Sequence, residues 1–495
     1  PALDHARDSG RARGFAYEGM VAHSMPASRP LEMIVPRLYG VIDPDVRHFW
    51  GGAAFGGAPY LLSVYAGFAV AALAVAGLIA RVRGTGIVAA IAVVSYILAI
   101  GDSTPLYRLL HAIGMRSIRY PEKFIASAVF VLIVFAAVVA DRLLGGDDRL
   151  LRKTRIVSIV FVIIAAAAAL IAFSPSLFAS VWQSADASAA RAPLSLGAGL
   201  AVAWLIAFLA FGRVDRQRWS AAVFVLLLVD VVWLGRSFAP ARGRAFFTAP
   251  PIAKQLRGEP GIFNVVNRGD WAVADPNRGK TTALSRSFAA RNAMTKMTPA
   301  LWNIRTVMQA DFDATFLLAT HEFMDAMTRA ARSGRGDWAE AFMAVSNVRY
   351  VLDYRDFETA MRESRGDLMH ARPVVATRRP NRGQYYFSND EGRVLSMRET
   401  ANTATVEVDA HTPALLFATV TRHKYWRATV DGEPVRPVGA NIAYQAIPVP
   451  QGRHRVEMRY FNPLVVVSGL VSLATIVALA IMTLRRRRPR PQSES

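Results

Sequence analysis

Residues 156–173 read IVSIVFVIIAAAAALIAF, a run with no charged side chain, and just before it stand Arg149, Arg152, Lys153 and Arg155. A helix rising 1.5 Å per residue needs about 20 apolar residues to cross some 30 Å of hydrocarbon, so this run reads as a membrane span. The basic cluster in front of it marks the cytoplasmic end, because short cytoplasmic loops carry an excess of Lys and Arg.

Working outward, the segments 60–80, 86–101, 124–140, 195–212, 219–236 and 463–484 have the same apolar character, Gly86–Gly101 being the shortest. Together with 156–173 they predict about seven transmembrane helices. The loops alternate in charge as a threaded chain requires. Arg81 and Arg83 follow the first segment, Arg142 to Arg155 the third, Arg213, Arg216 and Arg218 the fifth, and Arg485 to Arg488 the last. The loop from Ser174 to Pro193 carries only Arg191. Residues 1–59 and 237–462 are therefore expected outside the membrane, with the basic tail 485–495 in the cytoplasm.

Composition supports lipid as the solvent for much of the chain. Of 495 residues 53% are hydrophobic, and the mean hydropathy is +0.25. There is no cysteine, which excludes disulfides, thiolate metal sites and cysteine nucleophiles. The net charge of +21 is concentrated in the short loops and the tail, which is the pattern of membrane topology and not of nucleic-acid binding. Residues 1–30 show no apolar signal-peptide core, and the chain is expected to be the C-terminal part of a longer protein.

Between the spans the texture changes twice. Residues 237–382 mix helix-like stretches, Pro299–Arg332 and Trp338–Val345, with short apolar runs at Ile262–Val266 and Val348–Leu352, predicting a small α/β lobe. Residues 383–462 alternate polar and apolar in short runs, Thr403–Val408, Ala414–Thr421, Ala443–Val449 and Arg453–Tyr460. Turn signals at Asn389-Asp390, Asp431-Gly432 and Gln451-Gly452 separate them, predicting an antiparallel β-sandwich. The fold class expected is thus a polytopic α-helical membrane protein with an outer α/β lobe and a β-sandwich: an outer segment 1–59, six helices in 60–236, the lobe, the sandwich and a last helix 463–484.

One outer loop breaks the charge rule. Residues 102–123, DSTPLYRLLHAIGMRSIRYPEK, hold Arg108, Arg116, Arg119 and Lys123 where an outer loop should be poor in cations. Arg offers a planar fork and Lys a point charge for a phosphate at headgroup depth, so Arg119, Tyr120 and Lys123 are candidate ligand-binding residues. Asp102, just past a span, is a candidate for a sugar hydroxyl or a cation. The competing reading makes Arg108 and Arg116 interfacial snorkellers and Asp102 a cap for the amphipathic stretch 105–115. Arg37, Tyr39, His48 and Trp50 form a second candidate group, to be weighed against an interfacial aromatic belt. Asp230, inside the sixth span, must face other helices or a wet cavity. Asn277-Arg278-Gly279-Lys280-Thr281 lacks the first glycine of a phosphate loop, Ala274 standing there, and His321-Glu322 lacks the second histidine of a zinc protease. Asp311-Phe312-Asp313 leaves room for a divalent cation, although a surface helix face is the expectation.

Three stretches together resemble the YfhO family of bacterial membrane proteins, polytopic glycosyltransferases of the GT-C type. They are Gly101-Asp102 with Pro105-Leu106 and Arg119-Tyr120-Pro121-Glu122-Lys123-Phe124, then Val348–Leu352, then Tyr425–Gly432 with Gly452-Arg453-His454. The resemblance implies transfer of a sugar from a polyprenyl-phosphate donor to an envelope glycan or glycolipid acceptor on the outer face of the cytoplasmic membrane. It also implies a catalytic carboxylate in a first outer loop that has no counterpart here, so no catalytic residue is assigned and no resident cofactor is expected. The alternative is a non-catalytic membrane scaffold or flippase partner that binds glycan or another envelope protein.

Overall fold

The computed structural model describes residues 2–41, 49–238, 244–267, 283–295, 298–309, 311, 314–355, 357–367 and 369–486. The chain divides into two compact units, one of Gly14–Phe246 with Asn277–Ser287, the other of Pro1–Arg13, Phe247–Pro276 and Phe288–Ser495. The first thirteen residues thus belong with the second unit, and not with the rest of the 1–59 segment.

The first unit is helical. Pro121–Leu144, Asp148–Ile171 and Ala187–Ala210 are long and apolar enough to cross a membrane, as is Pro463–Thr483 in the second unit; these are the four such helices among the described residues. The first two expected spans form the shorter apolar helices Phe68–Ala80 and Thr85–Ala99, and the sixth forms Arg216–Phe238. Lipid-type surface is plain on all of them: Phe130, Ile163, Leu170, Ile206 and Val232 point outward, exposed. Small residues let the helices approach. A Cβ on Gly77 would overlap Val139 Cγ2, so only glycine fits where Phe68–Ala80 crosses Ile125–Leu144.

The basic loop residues also have local work. Asp147 caps Asp148–Ile171 by accepting from the Leu150 amide at 2.9 Å. Lys153 Nζ donates to the Ile79 carbonyl at 2.8 Å. Arg155 donates to the carbonyls of Phe208 and Phe211, at 3.0 Å each. Cations thereby close the C-terminal carbonyls of Phe68–Ala80 and Ala187–Ala210, so three helix ends meet at one end of the bundle. Asp230 is fully buried and faces other helices: Tyr65 Oη and Trp204 Nε1 both donate to it at 3.2 Å.

The first span differs from its expected extent. Residues 60–67 are not helical; the helix starts at Phe68 after Gly67, whose φ is +108°. The irregular stretch is fixed by side chains instead of a helical ladder, as described below.

In the second unit, β1 (Asn264–Asn267), β2 (Val348–Tyr354) and β3 (Val374–Arg378) form a three-stranded sheet, β1 parallel to β2 and β2 antiparallel to β3. Pro251–Arg257 packs against it through Ile252 and Leu256, and Gly336–Val345 through Met343. The expected single helical stretch from Pro299 to Arg332 is broken into a short 3-10 turn, Thr298–Trp302, and Leu318–Arg332.

The remaining strands are β4 (Tyr385–Tyr386), β5 (Gly392–Glu399), β6 (Thr403–Ala410), β7 (Ala414–Ala418), β8 (Trp426–Val430), β9 (Glu433–Val435), β10 (Val438–Ala440), β11 (Tyr444–Val449) and β12 (Gly452–Tyr460). They build two antiparallel sheets, ordered β10-β11-β7-β4 and β5-β6-β12-β8-β9. Alternation decides which side chains meet between them: Val406, Val408, Leu416, Ile447, Val456 and Met458 form one buried core. The turn Asp431-Gly432 joins β8 to β9 with both residues at positive φ, +52° and +89°, the conformation of a two-residue hairpin.

Candidate functional site

The basic loop is built on a sharp backbone turn. Helix Thr85–Ala99 runs into Gly101, whose φ is +51° and whose missing Cβ would overlap Ser24 Oγ and lie 2.8 Å from Pro121 Cγ. No side chain fits there. The 3-10 turn Gly101–Ser103 then presents Asp102, whose amide donates to Ser24 Oγ at 3.0 Å. Tyr17 Oη donates to Asp102 Oδ1 at 2.5 Å. That hydrogen bond is the main reason the Tyr17 phenol is held above its ordinary pKa. Arg108 also bonds Tyr17, which raises its own guanidinium pKa. Asp102 is exposed, so its remaining lone pairs face solvent. The helix expected at 105–115 is present as Leu106–Ala112.

Arg119 is stacked between aromatic rings, its guanidinium carbon 5.2 Å from the Phe15 centroid and 4.4 Å from that of Tyr120. The Phe15 amide donates to the Arg116 carbonyl at 2.8 Å. The segment Phe15–Ser24 therefore touches both the Asp102 turn and the Arg119 end of the loop. Tyr120, at φ +58°, stacks on Tyr60 at 4.8 Å and meets the edge of His23 at 5.2 Å. Lys123 lies in the turn Pro121–Phe124, its ammonium 5.6 Å from the Phe124 ring. Arg119, Tyr120 and Lys123 are all half-buried.

Beneath them lies a charged cluster that the sequence pattern does not single out. Arg29, Glu32 and Glu122 are 1%, 2% and 0% exposed. Arg29 contacts Glu32 at 3.0 Å and Glu122 at 3.6 Å, donates to the Leu61 carbonyl at 2.9 Å, and sits 4.8 Å from the Phe55 centroid. Ser63 Oγ donates to Glu32 at 2.7 Å and the Tyr60 amide to Glu122 at 2.6 Å. One cation thus serves two carboxyl groups. Burial pushes Glu32 up to about 7, against the attraction of Arg29 and the Ser63 hydrogen bond. This cluster also explains the late helix start. The Tyr60 amide is spent on Glu122 and the Leu61 carbonyl on Arg29, polar groups that a helix would have paired internally.

The second candidate group divides differently. Arg37 is half-buried at φ +60°, beside Val35, Leu38, Tyr39 and Trp50, which belong to the helical core. Trp50 Nε1 donates to the Leu38 carbonyl at 2.9 Å, and Tyr39 Oη to Ser28 Oγ at 2.6 Å. Tyr39 and Trp50 are therefore packing residues with satisfied polar tips. His48 lies outside the described residues. In the second unit, Asp311 is not on a helix face: it accepts from the Phe316 amide, Thr315 Oγ1 and His321 Nε2. Asp313 lies outside the described residues, and among those described no group of three or more His, Asp and Glu side chains is arranged to hold a metal ion.

Tyr17, His23, Ser24, Arg29 and Glu32 carry no obvious mark in the sequence. The available signal is Arg29 and Glu32 themselves, three apart with Pro30 between them in a stretch flanked by apolar residues, a spacing that lets the two charges pair on one turn.

Fold and loop define a membrane protein: apolar helices of spanning length, an α/β lobe with a β-sandwich, and an aromatic, cationic loop cluster beside a held carboxylate. The family model described as "Bacterial membrane protein YfhO" matches residues 389–472, which cover the sandwich from β5 onward and the start of the last helix. That part of the chain carries the signature of this membrane-protein family, the family whose resemblance the sequence displays. No curated protein matches the chain.

Proposed function

We propose that the chain is part of a membrane glycosyltransferase that takes a sugar from a polyprenyl-phosphate donor and transfers it to an envelope acceptor outside the cytoplasmic membrane. The observation that carries this reading is the loop 102–123. It joins two apolar helices, and it gathers Arg119 and Lys123 among rings while Tyr17 and Ser24 hold Asp102. A lipid phosphate needs cations at headgroup depth, and a sugar needs flat apolar faces and hydroxyl acceptors. The stacked pair Tyr60 and Tyr120 supplies flat faces, and the exposed Asp102 supplies an acceptor. Charge neutralisation by Arg119 and Lys123 stabilises the phosphate as it leaves, and Asp102 orients a sugar hydroxyl. Seven spans, with the lobe and sandwich outside and the C-terminus in the cytoplasm, follow from the alternation of loop charge. The family match over residues 389–472 supports the membrane-enzyme class.

The test is donor affinity. In membranes carrying the full chain, replacing Arg119 and Lys123 together with Ala should weaken binding of a radiolabelled polyprenyl-phosphate hexose by about tenfold or more, since a charge-assisted hydrogen bond to phosphate is worth on the order of 1.5 kcal/mol. Membrane insertion should be unchanged. Equal affinity in variant and parent overturns the reading and favours the scaffold.

A further inference from the structure

A cavity of about 1100 Å³ opens in the second unit where one end of the sandwich meets helix Ala2–Asp8 and the start of Leu318–Arg332. Its cations are Arg422, Lys424, Arg427 and Arg436, with His423 between the first two. Two of them are already balanced: Lys424 pairs with Asp4 at 2.5 Å and Asp8 at 2.7 Å, and Arg422 with Glu322 at 3.5 Å. Arg427 and Arg436 form no ion pair among the described residues; Arg427 bonds the carbonyls of Lys424 and Trp426.

The cavity also reaches a group that has no business in a sandwich core. Along β11, Gln445, Ile447 and Val449 share one face by alternation, and the last two are core residues. Gln445 is 2% exposed, lines the cavity, and its Nε2 has no hydrogen-bond partner among the described residues. Buried amides are almost always paired, so an unpaired donor at the floor of a cationic cavity marks a place suited to a ligand oxygen. Trp426 is only partly buried, packs against the edge of the sandwich core and lines the same wall, its ring edge-on to Tyr460 at 5.4 Å.

We infer that this cavity binds an acidic oligosaccharide, with Arg427 and Arg436 taking its carboxylate or phosphate groups, Gln445 donating to a ring or hydroxyl oxygen, and Trp426 covering a sugar face. The combination favours a saccharide over a lipid surface because the recognising donor lies at the floor of a concavity, where a flat array of headgroups does not reach. The inference is independent of the donor site, whose residues all lie in the other unit.

The experiment is isothermal titration of the full chain, held in neutral-lipid nanodiscs, with oligogalacturonate, with a maltooligosaccharide of equal length and with inorganic polyphosphate. Oligogalacturonate should bind. The pair Arg427→Ala with Arg436→Ala should weaken it at least tenfold, and Gln445→Leu severalfold without lowering the melting temperature, because leucine suits a core-facing register. Arg119→Ala with Lys123→Ala should leave it unchanged, which separates failure here from failure of the donor reading. Equal binding of the neutral sugar, equal or tighter binding of polyphosphate, or undiminished binding by Gln445→Leu overturns the inference.

Discussion

In the sandwich Val406, Val408, Leu416, Ile447 and Val456 are fully buried; in the loop cluster of the helical unit the charged Arg29, Glu32 and Glu122 are buried almost as completely. Both regions hold several backbone segments together, but by opposite means. Apolar packing tolerates many sequences of similar volume and leaves few polar groups to satisfy. A buried cation between two carboxylates tolerates almost none, because each partner removed strands a charge. The sandwich is held by one apolar core, whereas the cluster fixes one geometry for the loop above it. Arg29 ties the 29–32 turn to the backbone at Leu61 and to Glu122, next to Lys123.

The strongest way to break this comparison is to remove the shared cation. Arg29→Ala should cost about 3–5 kcal/mol of local stability, since two buried carboxyl groups are then without the guanidinium they share. Hydrogen exchange followed by mass spectrometry should show faster exchange in 58–63 and 120–124, with the sandwich strands unchanged. Protection in those segments equal to the parent's would mean that packing by Phe55 and Tyr39, not charge, holds the loop.

Next in size is a pH effect. Glu32 is raised from an ordinary 4.5 to about 7 by burial, so between those values the folded state holds a proton that the unfolded chain releases. Stability of the helical unit should therefore be greatest below about pH 4.5 with respect to this group, and fall as pH rises through about 7. The loss approaches about 3 kcal/mol, at 1.36 kcal/mol per pKa unit. Thermal unfolding of the full chain between pH 5 and 8 checks it, and Glu32→Gln should flatten the slope. Around the carboxyl stand Arg29, Ser63 and Glu122, and only Glu122 titrates in the same direction, so a slope left intact in Glu32→Gln would assign the proton to Glu122 instead.

The same contrast governs what was legible in the sequence. Period-two alternation and the Asp431-Gly432 turn are local signals, and they announced β6, β7, β11 and β12 within a few residues. Strands β9 and β10, three residues each, are too short to carry a period. The apolar helices announced themselves by length, but the non-helical start at 60–67 did not, because its cause is Glu122 and Arg29, distant in sequence. Arg108, Arg116, Arg119 and Lys123 stand out as violations of the charge rule, Tyr120 as a neighbour of Arg119, and Asp102 as a charge at the edge of a span. Their supports, Tyr17, His23 and Ser24, are ordinary residues in an unpatterned segment, and only the folded chain brings them to the loop.

The smallest expected effect sharpens the comparison from the other side. Asp409 on β6 faces Arg393 on β5 and Arg453 on β12 in register, at 3.0 and 3.9 Å. This is also one carboxylate with more than one charged neighbour, yet both arginines are largely solvated, at 63% and 75% side-chain exposure. In water the pair gains little beyond what hydration already gave each partner, and salt screens the rest. Arg393→Ala should therefore cost under about 1 kcal/mol at low ionic strength, and nothing measurable at about 1 M salt, in denaturant unfolding followed on the sandwich. A larger or salt-insensitive loss would show that number of partners, rather than burial, sets the worth of a charge in this protein, and the distinction between the two regions would fall.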